Sequence, residues 1–343
     1  VEIDQIMYPT LTPNDTRLSE QWGFGTTASG INVRPAWDTA TGTGVVVAVI
    51  DTGITSHPDL NANVLPGYDF ISDAARARDN NGRDSNAADQ GDWRTANQCG
   101  TGVAAANSSW HGTHVAGTIA AVTNNSTGVA GTAFNARIVP IRALGLCGGS
   151  SSDIADAIVW ASGGTVSGVP ANANPAEVIN MSLGGNGTCS NTYQNAINGA
   201  VSRGTTVVVA AGNSNANVAN FTPASCANVI SVASITSAGA RSSFSNFGTT
   251  IDISGPGSAI LSTLNSGTTT PGSASYAPYN GTSMAAPHVA GVVALVQSAA
   301  SRPLTPAAVE TLLKNTARPL PGACSGGCGA GIVNAAGAVS QTP

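Results

Sequence analysis

The feature that most constrains this chain is a recurring one: short, apolar, β-branched runs, each stopped by a turn former, with helix-patterned segments between them. The runs are Val45–Ile50, Arg137–Ile141, Glu177–Met181, Thr205–Ala210 and Val229–Ala233. They are bounded by Gly, Asn, Asp or Pro, and read as strands buried on both faces. Helical patterns lie between them at Gly112–Ala121, Ser151–Ala161 and Asn191–Arg203, with another near the end at Ser283–Ala300. This alternation predicts an α/β fold with a mainly parallel sheet flanked by helices on both faces. Such sheets bind ligands beyond the carboxyl ends of their strands. The residues there are polar in this chain: Asp51 after the first run, Ser182 after the third and Asn213 just beyond the fourth.

No internal repeat, heptad or low-complexity linker divides the 343 residues, so one domain spanning 1–343 is expected. Charged residues make up 9% of the chain, against roughly 25% in ordinary soluble domains. Lys314 is the only lysine, the net charge is -5, and no run of Lys or Arg forms a basic patch, which argues against a nucleic-acid partner. No apolar stretch approaches the ~18 residues needed to cross a bilayer, so no membrane span is expected. The chain starts at Val1 without a methionine or a leader, which fits a mature secreted form or simply a trimmed start. Six cysteines (Cys99, Cys147, Cys189, Cys226, Cys324 and Cys328) lie in Gly-, Asn- and Ser-rich sequence without Cys-x-x-Cys pairs. Disulfides in an oxidising, extracellular setting are the better reading than zinc. About fifteen connectivities are formally open, with sequential pairing the expected one.

Acidity is concentrated in one stretch, where Asp69, Asp73, Asp79, Asp84, Asp89 and Asp92 account for six of the 18 acidic residues. A cation is expected there. It could be a calcium ion, with Asp73, Asp84, Asp89 and Asp92 as its candidate ligands, or the neighbouring Arg76, Arg78, Arg83 and Arg94 acting without metal.

Four further positions can carry chemistry. In Val49-Ile50-Asp51-Thr52-Gly53 a carboxylate closes a buried strand, where it can orient an imidazole; alone, it could equally be a turn residue. Trp110-His111-Gly112-Thr113-His114 opens a helix with a candidate general base at His111, while His114, one turn on, reads as a packed histidine. The Glu of a His-Glu-x-x-His zinc site is missing, which disfavours metalloprotease chemistry. Asn280-Gly281-Thr282-Ser283-Met284-Ala285 sets a serine at a helix start, either as a nucleophile or as a helix cap. It is not a Gly-x-Ser-x-Gly elbow, because Ala285 replaces the second glycine. Asn213, in Ala210-Ala211-Gly212-Asn213, can offer a side-chain amide to an oxyanion or close a turn.

Asp51, His111 and Ser283 in this chain order, with Asn213 between the last two, resemble the subtilisin-like serine proteases, and the likeness runs from about residue 12 to the last helices. The resemblance implies a seven-stranded sheet with an Asp51–His111–Ser283 triad at its carboxyl edge and Asn213 in the oxyanion hole. It implies a secreted serine endopeptidase acting through an acyl-enzyme, with protein and peptide substrates and a propeptide before maturation; a monomer is the default expectation. Substrate would pair as a strand with Ser182-Leu183-Gly184 and Gly148-Gly149-Ser150, and Ala210, Ala211 and Gly212 would help to line the S1 pocket. A thermitase-like structural Ca2+ site is implied from Asp15, Asp59, Val122, Asn125, Thr127 and Val129. An N-terminal extension (about 1-25) and the Asp-rich insert (about 69-100) would be additions to the smallest family members. The reading from a different class is a catalytically silent homologue that binds peptides in the same groove.

Overall fold

In the computed structural model, which describes residues 11–343, the elements follow a β/α alternation. The first ten residues of the expected N-terminal extension lie outside the described residues. The strands are β1 (Val46–Asp51), β2 (Tyr68–Asp69), β3 (Arg137–Arg142), β4 (Val178–Met181), β5 (Gly185–Asn186), β6 (Thr206–Ala210), β7 (Phe221–Thr222), β8 (Ile230–Ile235), β9 (Ile253–Pro256), β10 (Ile260–Asn265) and β11 (Ala274–Tyr279). The helices are α1 (Arg34–Trp37), α2 (Ala74–Ala77), α3 (His111–Ala120), α4 (Ser151–Ala161), α5 (Asn191–Ser202), α6 (Thr282–Ala299), α7 (Pro306–Thr316) and α8 (Ala335–Ser340).

Seven strands form one sheet in the order β2-β3-β1-β4-β6-β8-β9, and every neighbouring pair is parallel. The expected sheet is the one found. Its strands read as unbroken apolar runs because successive side chains enter different cores. Val47 and Val49 of β1, with Val208 and Ala210 of β6, face α3 and α6. Ala48 and Ile50, with Val207 and Val209, face α4 and α5. Full burial of one such Val or Ile contributes roughly 1.5–3 kcal/mol. Helix α6 is apolar on nearly all sides, which suits a helix enclosed by protein.

The predicted strands and helices lie within one or two residues of the observed ones, apart from small shifts at their ends. Strand β2 has two residues, and β9 contains Gly255 and Pro256, so neither carries a strand pattern. The three bridges are Cys99–Cys147, Cys189–Cys226 and Cys324–Cys328, with no free cysteine among the described residues. Among those residues no helix is long and apolar enough to cross a membrane.

The sheet's registers bring the candidate residues level. Val49 pairs with Asn180, so Asp51 and Ser182 lie two steps further on along adjacent strands. Met181 pairs with Val209, which sets the Ala210–Asn213 turn beside them.

Candidate active site

Asp51 closes β1 fully buried, and its Oδ1 accepts the Thr52 N–H at 2.7 Å. Helix α3 begins at His111 after Trp110, which has a left-handed backbone. Gly112 lets that helix start meet the β1 turn: a Cβ there would stand 2.2 Å from the Gly53 carbonyl oxygen. His111 Nδ1 consequently lies 2.7 and 2.9 Å from the two Asp51 oxygens, donating its proton to the carboxylate. Burial pulls the imidazole pKa down, but Asp51, assisted by Asp92 and Asp89, outweighs it and holds it above the ordinary histidine value. The side chain remains 22% exposed, so its far edge is open. His114 is a packed residue. It is fully buried, with Nε2 2.9 Å from the Ala277 carbonyl and its ring stacked on Tyr279 at 4.5 Å, and burial lowers its pKa to about 3.

Ser283 is the second residue of α6, whose cap is Gly281, so it does not serve as the helix cap. Pro287 stands four residues on, without the N–H that would otherwise bond the Ser283 carbonyl. That carbonyl accepts the Ser182 hydroxyl at 2.7 Å instead, and Ser182 Oγ itself receives Asn180 Nδ2 at 3.0 Å. The proline thus frees an acceptor that ties the nucleophile candidate's backbone to the end of β4. The Ser283 hydroxyl donates to the Ser182 carbonyl at 3.2 Å, and among the described residues it makes no hydrogen bond to His111. Helices α3 and α6 pack against each other, with both N-termini at the carboxyl edge of the sheet.

Asn213 is fixed through its oxygen, which accepts the Thr282 N–H at 2.8 Å and the Thr282 hydroxyl at 2.9 Å. Thr282 Oγ1 in turn accepts the Gly212 N–H at 3.0 Å. Among the described residues the amide NH2 has no partner, and its nitrogen lies 3.6 Å from where a Cβ on Gly281 would sit, beside the start of α6. Gly212 has φ +103, and a Cβ there would meet Asn246 at 2.4 Å and Phe221 at 2.6 Å, so the turn presenting Asn213 requires glycine. Asn280 accepts the Ala259 N–H at 2.7 Å and anchors the segment before α6.

Of the residues expected to bind substrate, Gly148 and Gly149 form one wall of a cleft of about 460 Å³, with Leu183 and Gly184 also in its lining. Leu144, Ile154 and Tyr193, which sequence reading did not single out, add apolar surface. Ile154 and Tyr193 look like ordinary core positions of α4 and α5, so nothing local marked them. Cys147 is in the lining too, which attaches the insert to this cleft through Cys99. Ser150, Ser182, Ala210, Ala211 and Gly212 are not part of the lining. Ser150 caps α4, accepting the Asp153 N–H, while Ala210 and Ala211 are buried.

The residues of the first expected calcium site converge. Asp15 and Asp59 are buried close enough for Asp59 to add to the rise in the Asp15 pKa, whose main cause is burial. The 122–129 segment wraps Asp59: Val122 N–H reaches its carbonyl at 2.7 Å, Val129 N–H its Oδ2 at 2.9 Å and Asn125 Nδ2 its Oδ1 at 2.8 Å. Among the described residues, the buried Asp15 Oδ1 has no hydrogen-bond partner. Two buried carboxylates, an orphaned oxygen and neighbouring carbonyls fit a hard oxygen-seeking cation.

The second expected site is not assembled. Among the described residues no three His, Cys, Asp or Glu side chains converge on a metal position. Asp73 caps α2, and Asp84 accepts Asn86 N–H and Asn81 Nδ2. Asp89 accepts the Thr52 hydroxyl at 2.7 Å, while Asp92 accepts Ser109 N–H at 2.6 Å and Ser109 Oγ at 2.7 Å. The main counter-charge comes from outside the insert: Arg142, fully buried, meets Asp69 at 2.7 Å and Asp79 at 3.2 Å. Arg83 turns away to Asp153 and Asp156. Hydrogen bonds, Arg142 and, within the insert, Arg76 at 3.8 Å from Asp73 thus engage the carboxylates expected to bind a second calcium ion.

The subtilase family model matches residues 42–331. An extracellular protease of Xanthomonas campestris pv. campestris is 80% identical over 340 residues, covering 99% of this chain and 59% of that protein. An extracellular basic protease of Dichelobacter nodosus is 49% identical over 349 residues, covering 99% of this chain and 58% of the relative. The chain thus spans about three-fifths of the length of these two relatives. A solved protease structure from Pseudoalteromonas arctica PAMC 21717 superimposes with a TM-score of 0.95 at 58% identity, covering 96% of this chain and 99% of that one.

Proposed function

The chain belongs to the subtilase family, and from that premise we propose that it is a secreted serine endopeptidase cleaving proteins and peptides through an acyl-enzyme intermediate. The observation that carries this reading is His111 Nδ1 held between both oxygens of the buried Asp51, with its far edge open. Asp51 selects the tautomer with the proton on Nδ1, leaving Nε2 to receive a proton from Ser283 as its oxygen attacks the scissile carbonyl. The imidazolium then returns that proton to the leaving amine, and water repeats the cycle on the acyl-enzyme. In the resting state the Ser283 hydroxyl donates to the Ser182 carbonyl, so productive attack requires it to turn toward His111.

The developing oxyanion is received by the Asn213 NH2 and the Ser283 backbone N–H at the electropositive start of α6. Because Thr282 binds the Asn213 oxygen twice, the donor is pre-aimed, with little reorganisation left for the reaction. The peptide lies as an added strand between 148–150 and 182–184, with side chains entering the cleft beside Leu183.

Asp15, Asp59 and Asn125, with the carbonyls of Val122, Thr127 and Val129, would hold a structural calcium ion. When bound, calcium supplies a positive charge that offsets the two carboxylates and pins the N-terminal segment to the 122–129 loop. The chain works as a monomer released from a propeptide.

The test is hydrolysis of denatured casein by the parent and by Ser283→Ala. Cleavage by the parent alone supports the reading. Cleavage retained in the variant would remove Ser283 as nucleophile, and a folded, calcium-loaded parent without activity would leave a silent peptide-binding module.

A further inference from the structure

Two carboxylates of the Asp-rich insert reach the backbone on either side of His111. Asp89, 2% exposed, accepts the Thr52 hydroxyl at 2.7 Å. Burial raises the Asp89 carboxyl to about 7; above that it is ionised and only accepts, so the single Thr52 proton points to Asp89 and the Thr52 oxygen is left to accept the Gly112 N–H, which it does at 3.0 Å. That N–H is one of the unpaired donors of the first turn of α3. Asp89, Thr52 and Gly112 therefore link the insert, the residue after Asp51 and the residue after His111. Asp92 acts on the other side, where its two oxygens accept the N–H and hydroxyl of Ser109, two residues before His111. The Ser109 carbonyl is held in turn by the Tyr279 hydroxyl at 2.7 Å.

Resting on the endopeptidase reading, we propose that Asp89 and Asp92 are positioning residues for His111, fixing the backbone at Thr52, Ser109 and Gly112 and keeping negative charge behind the imidazolium. The charged and titratable groups around His111 are Asp51 on β1, Asp89 and Asp92 on the insert, and His114 one turn along α3. Arg142 faces Asp89, and Arg78 faces Asp92. Both insert carboxylates hold the His111 pKa up, in the same direction as Asp51.

Asp92→Ala removes both bonds to Ser109. Asp92→Asn keeps an acceptor for the N–H and a polar contact to the hydroxyl, but deletes the charge. On a small peptide amide, Asp92→Ala should lower kcat about tenfold with KM within about twofold of the parent, the pattern of a lost transition-state interaction. Asp92→Asn should restore most of kcat on the alkaline plateau while moving the acid limb of kcat/KM down by roughly half a pH unit. Asp89→Ala and Thr52→Val should each lower kcat, and their double variant should be no worse than the single ones, because they break one chain. The His111 pKa, followed by NMR of labelled histidine, should fall in Asp92→Asn whether or not the protein is a protease. A parent that does not hydrolyse peptides while its His111 pKa still responds to Asp92→Asn would overturn the endopeptidase reading and not the placement of charge. Variants that melt earlier but keep the parent kcat, acid limb and His111 pKa would overturn the positioning role.

Discussion

Around Asp15 and Asp59, two buried carboxylates share a neighbourhood, and one oxygen of Asp15 has no hydrogen-bond partner among the described residues. Across the insert, six carboxylates lie within a short stretch of sequence, and each is engaged by a backbone amide, a hydroxyl, a side-chain amide or Arg142. The region with fewer acidic residues is thus the one that keeps a buried carboxylate oxygen without a partner among the described residues. Charge density in a sequence counts carboxylates, whereas a metal site depends on acceptors that the fold leaves unsatisfied. The insert's carboxylates are engaged by partners within the protein, several of them outside the insert, and Asp89 and Asp92 bear on the histidine of the candidate triad.

The comparison can be broken most forcefully at Arg142. Arg142→Ala strands Asp69 and Asp79 against each other in a buried setting, and should cost about 3–5 kcal/mol in denaturant unfolding. A loss below about 1 kcal/mol, the range of an exposed pair, would mean that something else, such as a bound ion, neutralises the insert. Replacing Cys99 and Cys147 together by serine frees the far end of the insert from the cleft. The expected loss is about 2–4 kcal/mol, with altered peptide preference because Cys147 lines the cleft. Unchanged melting and kinetics would show that the insert holds its place without this bridge.

Chelation sharpens the contrast. At a calcium concentration about 100 times Kd, removing the ion should lower stability by about 2.7 kcal/mol. Asp15→Asn should abolish that dependence, and Asp73→Asn should leave it intact; the reverse result would move the ion to the insert. A further contrast concerns pH. Burial pushes the Asp89 carboxyl up to about 7 from an ordinary value of 3.8. A group whose pKa is raised on folding contributes stability below its unfolded value, and that contribution is lost as pH rises through the folded value. Stability should therefore decline from about pH 4 to about pH 7, and Asp89→Asn should flatten this decline when melting is followed across that window. A variant that declines as steeply as the parent would place the titration elsewhere.

Much of the fold was legible because its signals are local. Unbroken apolar runs such as Val45–Ile50 announce strands with two buried faces, and helix α4 was predicted to the residue. Strands β2 and β9 escaped because pairing with β3 and β8, not their own side chains, makes them strands. At the site, Asp51, His111, Ser283 and Asn213 were visible as residue types at strand ends and helix starts. What binds them was not. The Ser283 carbonyl freed by Pro287 is claimed by Ser182, 101 positions away in sequence. Arg142 meets Asp69 across 73 positions, and Asp92 reaches Ser109 through a fold of the insert that no periodicity encodes. The hydrogen bonds that occupy the insert's aspartates were not legible because they are long-range or lie in irregular loops.

The most direct measurement is reaction of the intact protein with a serine-directed phosphonylating reagent, followed by peptide mapping, beside Asp51→Asn and Ser283→Ala. The account predicts one stoichiometric adduct on Ser283 in the parent, none in Ser283→Ala, and a labelling rate in Asp51→Asn reduced by about 10⁴-fold, as expected when the imidazole loses its oriented tautomer. Labelling at another residue, or at the parent rate in Asp51→Asn, would contradict it.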